Sequence, residues 1–309
     1  MHKTTGRWQL GLLLSLVTAL LWGALPIALK GLLQYMDSVT ITWLRFVIAA
    51  ILLGGYLYYK NGLPSLDKIR NRASILLMGA TILGLLANYI LYMVGLSFIT
   101  PESAQVMIQL APMLLLVGGL FLFKESFNAA QWVGLLTFLL GLILFFNQRF
   151  EQLLSFQGGY SWGVFLIFLA AILWAVYALA QKQLLKFYAS EEIMILVYVA
   201  GSLLFIPNSA PGLILELDGV GWALLLFCGV NTLVAYGAFA EALDHWEASR
   251  VSATLAITPL LTLLFMQLTG YWLPGYIDSE PLNSLSVFGA FIVVIGSAIT
   301  ALSKQKKPA

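Results

Sequence analysis

Two tryptophans, Trp22 and Trp174, stand 152 positions apart, each deep in a long apolar stretch. An indole ring offers a large apolar surface, a π face that attracts cations, and one N–H donor. Other groups of this kind are spread along the chain. Asn88, Tyr89 and Tyr92 share one helical turn, Gln105 and Gln109 are one turn apart, and Tyr177 follows Trp174 by three positions. Tyr236 stands 147 positions beyond Tyr89. Such a set can hold a small solute by stacking and hydrogen bonding, but it breaks no covalent bond. The chain contains no nucleotide-binding glycine loop, no nucleophile elbow and no metal-ligand helix motif. The single cysteine, Cys228, excludes an internal disulfide, and two histidines do not make a metal site. The reading is therefore a binding or transport protein and not an enzyme, with no cofactor and no metal.

Each of these residues has a plainer reading. A buried amide must find a partner, so Asn88, Gln105, Gln109 and Asn231 would serve equally as ties between helices. Thr254, Thr258 and Thr262 can bond back to their own helix. Aromatic belts at a membrane surface are common, and Tyr271 and Trp272 read that way. Pro112 and Pro259, 147 apart, each remove a backbone hydrogen bond and would be flexible points for opposing gates. Pro26 would bend the first helix, which also presents Ser15, Thr18 and Trp22 on one face.

Two charges need separate treatment. Arg45 lies roughly 10 Å into an apolar stretch at 1.5 Å per residue. It would clamp a substrate carboxylate or pair internally with Asp37 or a carbonyl. Glu241 would be a proton-coupling carboxylate, or would reach the interface and pair with Arg250. No acidic residue is expected at mid-membrane, which argues against a carrier of divalent cations.

The elements that must position these groups follow from composition. Hydrophobic residues make up 61% of the chain and charged ones 10%, far from the roughly 25% charged of a soluble domain. A lipid bilayer accounts for that excess. Apolar runs long enough to cross it as helices fall at about 10–33, 38–59, 73–97, 101–123, 129–146, 160–181, 190–207, 219–243, 248–271 and 285–303. They do not alternate with period two, so the fold class is an all-α membrane protein with ten transmembrane helices. Nothing resembles a cleavable signal peptide. The net charge of +2 does not point to nucleic acid. Alternate loops collect thirteen of the sixteen Lys and Arg, which places both termini in the cytoplasm.

The chain also reads the same way twice. Gly11–Ser38 recurs at Gly163–Ser190, and Gly134 and Gly141 recur as Gly289 and Gly296. Residues 1–150 and 151–309 thus form two five-helix repeats. Five is odd, so the second repeat is inverted relative to the first, the skeleton of many secondary carriers.

Leu20–Gly23 (LLWG), Trp43–Phe46 (WLRF), the Pro112…Lys124-Glu125 segment and Gln131–Gly134 with Gly141, together with their second-half counterparts, resemble the drug/metabolite transporter superfamily, EamA type. The resemblance runs from Gly11 to about Ala301. It implies a carrier of small metabolites in the bacterial inner membrane, working by alternating access. It also implies a cavity lined by helices 1, 3, 4, 6, 8 and 9, with helices 5 and 10 as scaffold. On that basis Trp22, Asn88, Tyr89, Tyr92, Gln105, Gln109, Trp174, Tyr177 and Tyr236 are expected at the substrate. An exported amino acid is the leading substrate, and an organic cation or drug the alternative. A membrane receptor or enzyme on the same scaffold is the more distant one. Proton or exchange coupling and oligomeric state stay open. Val197 stands where Arg45 would recur, so the role of Arg45 is not symmetric.

Overall fold

A chain in hydrocarbon must satisfy its own backbone N–H and C=O groups, and the apolar runs accordingly fold as helices. The computed structural model describes residues 5–60, 62–64, 72–123, 128–156 and 158–303. In order these form α1 (Trp8–Leu32), α2 (Ser38–Tyr59), α3 (Arg72–Phe98), α4 (Pro101–Ile108), α5 (Leu110–Phe123), α6 (Ala129–Phe145) and α7 (Phe150–Ser155). Then follow α8 (Gly159–Leu184), α9 (Ser190–Leu204), α10 (Gly219–His245), α11 (Ala248–Leu255), α12 (Thr258–Trp272) and α13 (Ser284–Leu302). The basic turns expected around Lys68 and Arg70, the Lys124-Glu125 turn and the terminal lysines lie outside the described residues.

Among the described residues, eight spans are long and apolar enough to cross a membrane if α4 with α5 and α11 with α12 each count as one, or nine if α6 and the segment after it, bent by 55°, also count as one. The 15-residue α9 is shorter than such a span, so the seventh expected run ends earlier than 207, in short 3-10 turns. Two expected runs, 101–123 and 248–271, are not continuous helices. The first breaks at Gln109, between α4 and α5, and the second at Ala256–Ile257, between α11 and α12. The physical reason is the proline three positions on in each case. Neither Pro112 nor Pro259 has an N–H to return to the carbonyl four residues earlier. In the second break the Thr258 hydroxyl takes over, donating to the Leu255 carbonyl at 2.6 Å.

Helix starts carry their own signals. Asp37 caps α2, accepting from the N–H groups of Val39 and Thr40 at 2.9 and 3.0 Å. Thr100 caps α4, with Pro101 at its first position. Asn128 and Gln131 form a capping box on α6, and Asn283 caps α13 by accepting from the Ser286 N–H.

Close packing follows the small residues. Gly134 faces the Gly296 carbonyl and Gly141 the Gly289 carbonyl, where an added Cβ would stand 2.9 Å from each oxygen. Helices α6 and α13 therefore run antiparallel in backbone contact. Gly95 on α3 meets Gly163 on α8 in the same manner. The other long pairings are α1 with α10 and α2 with α9. Exchanging the two halves of the chain maps α3–α8 onto α1–α10.

Candidate functional site

The aromatic residues of α1, α8 and α10 converge. The Trp22 ring packs edge-on against Tyr236, 5.4 Å between centroids, and 5.8 Å from Phe239. Trp174 lies 6.3 Å from the Tyr177 ring, and its indole neighbours the Tyr236 hydroxyl. Tyr236 thus links the two tryptophans that the repeat pairs. Tyr89 on α3 joins from the side of Arg45, with the hydroxyls of Tyr236 and Thr232 in its neighbourhood.

A cation sits at the edge of this cluster. Arg45 on α2 is 4% exposed and its guanidinium lies 4.7 Å from the centre of the Tyr89 ring. Its Nε donates to the Thr232 hydroxyl at 3.2 Å. Among the described residues no carboxylate pairs with it. Asp37, the partner expected for it, is fully engaged at the α2 cap, accepting also from the Thr40 hydroxyl at 2.5 Å. A buried cation without an anion is costly, and the cost falls when a ligand supplies the anion.

The other expected residues divide. Asn88 donates to the Ala170 carbonyl at 2.8 Å, tying α3 to α8, and Asn231 does the same from α10 to Leu21 on α1. Tyr177 is buried, its hydroxyl 3.5 Å from the Met194 sulfur. Tyr92 is half-buried against the core. The Gln105 amide, 8% exposed, has no hydrogen-bond partner among the described residues. Gln109 lies at the α4–α5 break and reaches the Ala256 carbonyl at 3.5 Å. Pro112 is exposed and Pro259 buried. Glu241 is removed from the cluster: its side chain is 58% exposed and meets His245 at 3.2 Å, while Arg250 pairs with Glu247. Tyr271 and Trp272 are exposed on the helix surface, 77% and 73%.

Two features were not anticipated. A cavity of about 750 Å³ opens where α1 and α3 end, lined among others by Lys30, Gln34, Tyr35, Asp37, Tyr276 and Asp278. The Lys30 ammonium plugs its wall by donating to the carbonyls of Leu96, Ser97 and Ile99 at 2.8, 3.1 and 2.9 Å, capping the C-terminus of α3. In sequence Lys30 is one more basic residue near a loop, and nothing marks its reach to residues 66–69 positions away. The second feature is a buried pair of carboxylates, Glu102 and Glu280, at the start of α4. Among the described residues no group of three or more His, Cys, Asp or Glu could hold a metal ion.

A family model described as "EamA-like transporter family" matches residues 9–147 and 161–302. An "Uncharacterized inner membrane transporter YhbE" of Escherichia coli K12 is 40% identical over 296 residues, covering 96% of this chain and 92% of the relative. An "Uncharacterized transporter" of Haemophilus influenzae is 38% identical over 299 residues, 97% of both. A solved structure described only as "Crystal structure of protein" superposes with a TM-score of 0.65 at 18% identity, covering 94% of this chain and 96% of its own. That last likeness concerns the fold.

Proposed function

The chain belongs to the EamA-like transporter family, and from that membership we propose that this membrane transporter carries an amino acid, outward, by alternating access. The two inverted five-helix halves, residues 1–150 and 151–309, are the moving parts. In this reading it resides in the inner membrane, as the name of the E. coli relative describes that protein, with both termini in the cytoplasm. The antiparallel seam of α6 and α13 and the interchange of α3–α8 with α1–α10 support the inverted arrangement.

The observation that carries the substrate class is Arg45: a buried guanidinium beside Tyr89 and Thr232, with no carboxylate of the protein against it. The carboxylate of a zwitterion fits there, as a charge-assisted hydrogen bond. Trp22, Trp174, Tyr177 and Tyr236 take the apolar part, and the free amide of Gln105, with Gln109, Asn88 and Tyr92, completes the lining. Flux of labelled neutral amino acids into liposomes containing the protein tests this. Saturable flux, inhibited by other neutral amino acids and not by their decarboxylated amines, is the expected result. Flux of organic cations without competition from amino acids would replace the reading by a cation carrier.

A further inference from the structure

We propose that Glu102 is a proton-binding site of this protein, taking its proton on the buried Oε2 beside the Glu280–Arg149 pair. Glu102 begins α4 and is 2% exposed. Its Oε1 accepts the Glu280 backbone N–H at 3.3 Å, and its Oε2 is buried without a hydrogen-bond partner. The neighbouring donors are committed elsewhere. Glu280, 7% exposed, accepts from the hydroxyls of Thr100 at 2.9 Å, Ser103 at 2.7 Å and Tyr160 at 3.4 Å, and from Arg149 Nε at 2.7 Å. Thr100 has a single hydroxyl proton, and Glu280 holds it.

Charge bookkeeping at the site then points to a proton. Two buried carboxylates face one guanidinium. With Glu280 paired to Arg149, an ionised Glu102 would be a buried charge with no cation against it, met by one backbone N–H on Oε1 and by nothing on Oε2. A proton on Oε2 converts carboxylate to neutral acid, with nothing oxidised or reduced. The remaining titratable groups around α4 do not change this balance. On α1, Lys30 is occupied by three carbonyls, with Asp278 as the anion acting on it. On α8 the facing group is Tyr160, on α3 Tyr89 and Tyr92 lie toward Arg45, and Tyr271 of α12 is exposed. Helix α5 has no titratable residue.

The site lies near the surface: the Arg149 side chain is 25% exposed and pairs with Glu280, whose backbone N–H donates to Glu102. The site joins the broken span α4–α5, the start of α8 and the connection between α12 and α13. Its protonation state is therefore felt by both halves. What the proton drives rests on the carrier reading; the site itself does not.

Infrared difference titration of the full-length protein in lipid nanodiscs tests the site without substrate. A carboxylic-acid C=O band that titrates is expected in the wild type and in an exposed-site control, Glu151→Gln, and is expected to vanish in Glu102→Gln. Absence of the band from the wild type, or its survival in Glu102→Gln, overturns the proposal. Dicyclohexylcarbodiimide labelling of the wild type, mapped by peptide mass spectrometry, decides the matter if that variant does not fold. Label on Glu102 that rises as pH falls supports the site, and no label on Glu102 at any pH overturns it. In liposomes, Glu102→Gln should keep exchange of labelled neutral amino acids between equal pools and lose at least tenfold of the acceleration by a pH gradient. Wild-type liposomes that move no amino acid would remove the substrate reading while the titration stands.

Discussion

Gln109 donates to the carbonyl of Ala256, and the two residues hold the same place in their respective halves, 147 positions apart. The two broken spans therefore cross where both are broken. A helix interrupted by a proline bends at low cost, and two such bends in contact form a joint. Pro112→Ala and Pro259→Ala each restore the N–H that the carbonyls of Ile108 and Leu255 lack. Each variant should melt at a higher temperature and transport severalfold more slowly at equal expression. Faster transport by either would show that the joint plays no part in the cycle.

The tryptophans offer a direct test of the aromatic cluster. Trp22 and Trp174 both contact Tyr236, whereas Trp272 is 73% exposed on the outer surface. Trp22→Ala and Trp174→Ala should each lower flux by an order of magnitude or more, and Trp272→Ala by little. Equal losses in all three, at matched expression, would place the substrate elsewhere.

Arg45 distinguishes a carboxylate from an amine. Arg45→Gln should weaken competition by neutral amino acids about tenfold, equivalent to ~1.4 kcal/mol, and leave competition by the corresponding amines unchanged. Arg45→Lys should restore only part of the loss, because a lysine ammonium lacks the planar fork. A uniform loss for acids and amines alike would mean that Arg45 supports the fold and not the ligand.

The glycine seam predicts a stability effect. A methyl group at Gly141 would stand 2.5 Å from the Val293 backbone nitrogen, a distance real contacts do not reach. Gly141→Ala should destabilise the protein by about 1–3 kcal/mol through overpacking, measured by thermal unfolding in detergent. Gly270→Ala, where nothing lies within 4 Å, should not.

Asp37 gives a pH signature. Burial works against its charged form, but hydrogen bonds from the Thr40 side chain and from the N–H groups of Thr40 and Val39 outweigh that and hold its carboxyl below the ordinary range. A depressed folded-state pKa stabilises above the unfolded value, about 3.9, and the gain disappears as pH falls through the folded value. Asp37→Ala should cost about 1 kcal/mol at neutral pH and progressively less in acid, followed by melting temperature. An undiminished difference at the lowest pH would count against the cap.

Much of the fold was legible because membrane helices are written in single, long apolar runs. The repeat was legible in the constant offsets of Trp22 and Trp174 and of Pro112 and Pro259. The prolines were legible in the sequence but not that the helices stop beside them, since a proline can bend a span without ending it. For the candidate site, the sequence shows residue types but not their neighbours. The amide nitrogens of Asn88 and Asn231 donate to Ala170 and Leu21, a fact of helix rotation that sequence spacing leaves open. Glu102 read as a complement to the helix end beside Pro101. Its neighbour Glu280 lies 178 positions away, so their encounter exists only in three dimensions.

The contact of α6 with α13 has a mechanical meaning. Side chains can switch rotamers and let one surface slide over another; four glycines backing onto carbonyls have nothing to switch. That flank is a fixed keel, and in the alternating-access cycle proposed above any opening of the interior is a swing about it. On that proposal, ligands or inhibitors that wedge into the keel should arrest both strokes at once, whichever side the cargo enters from.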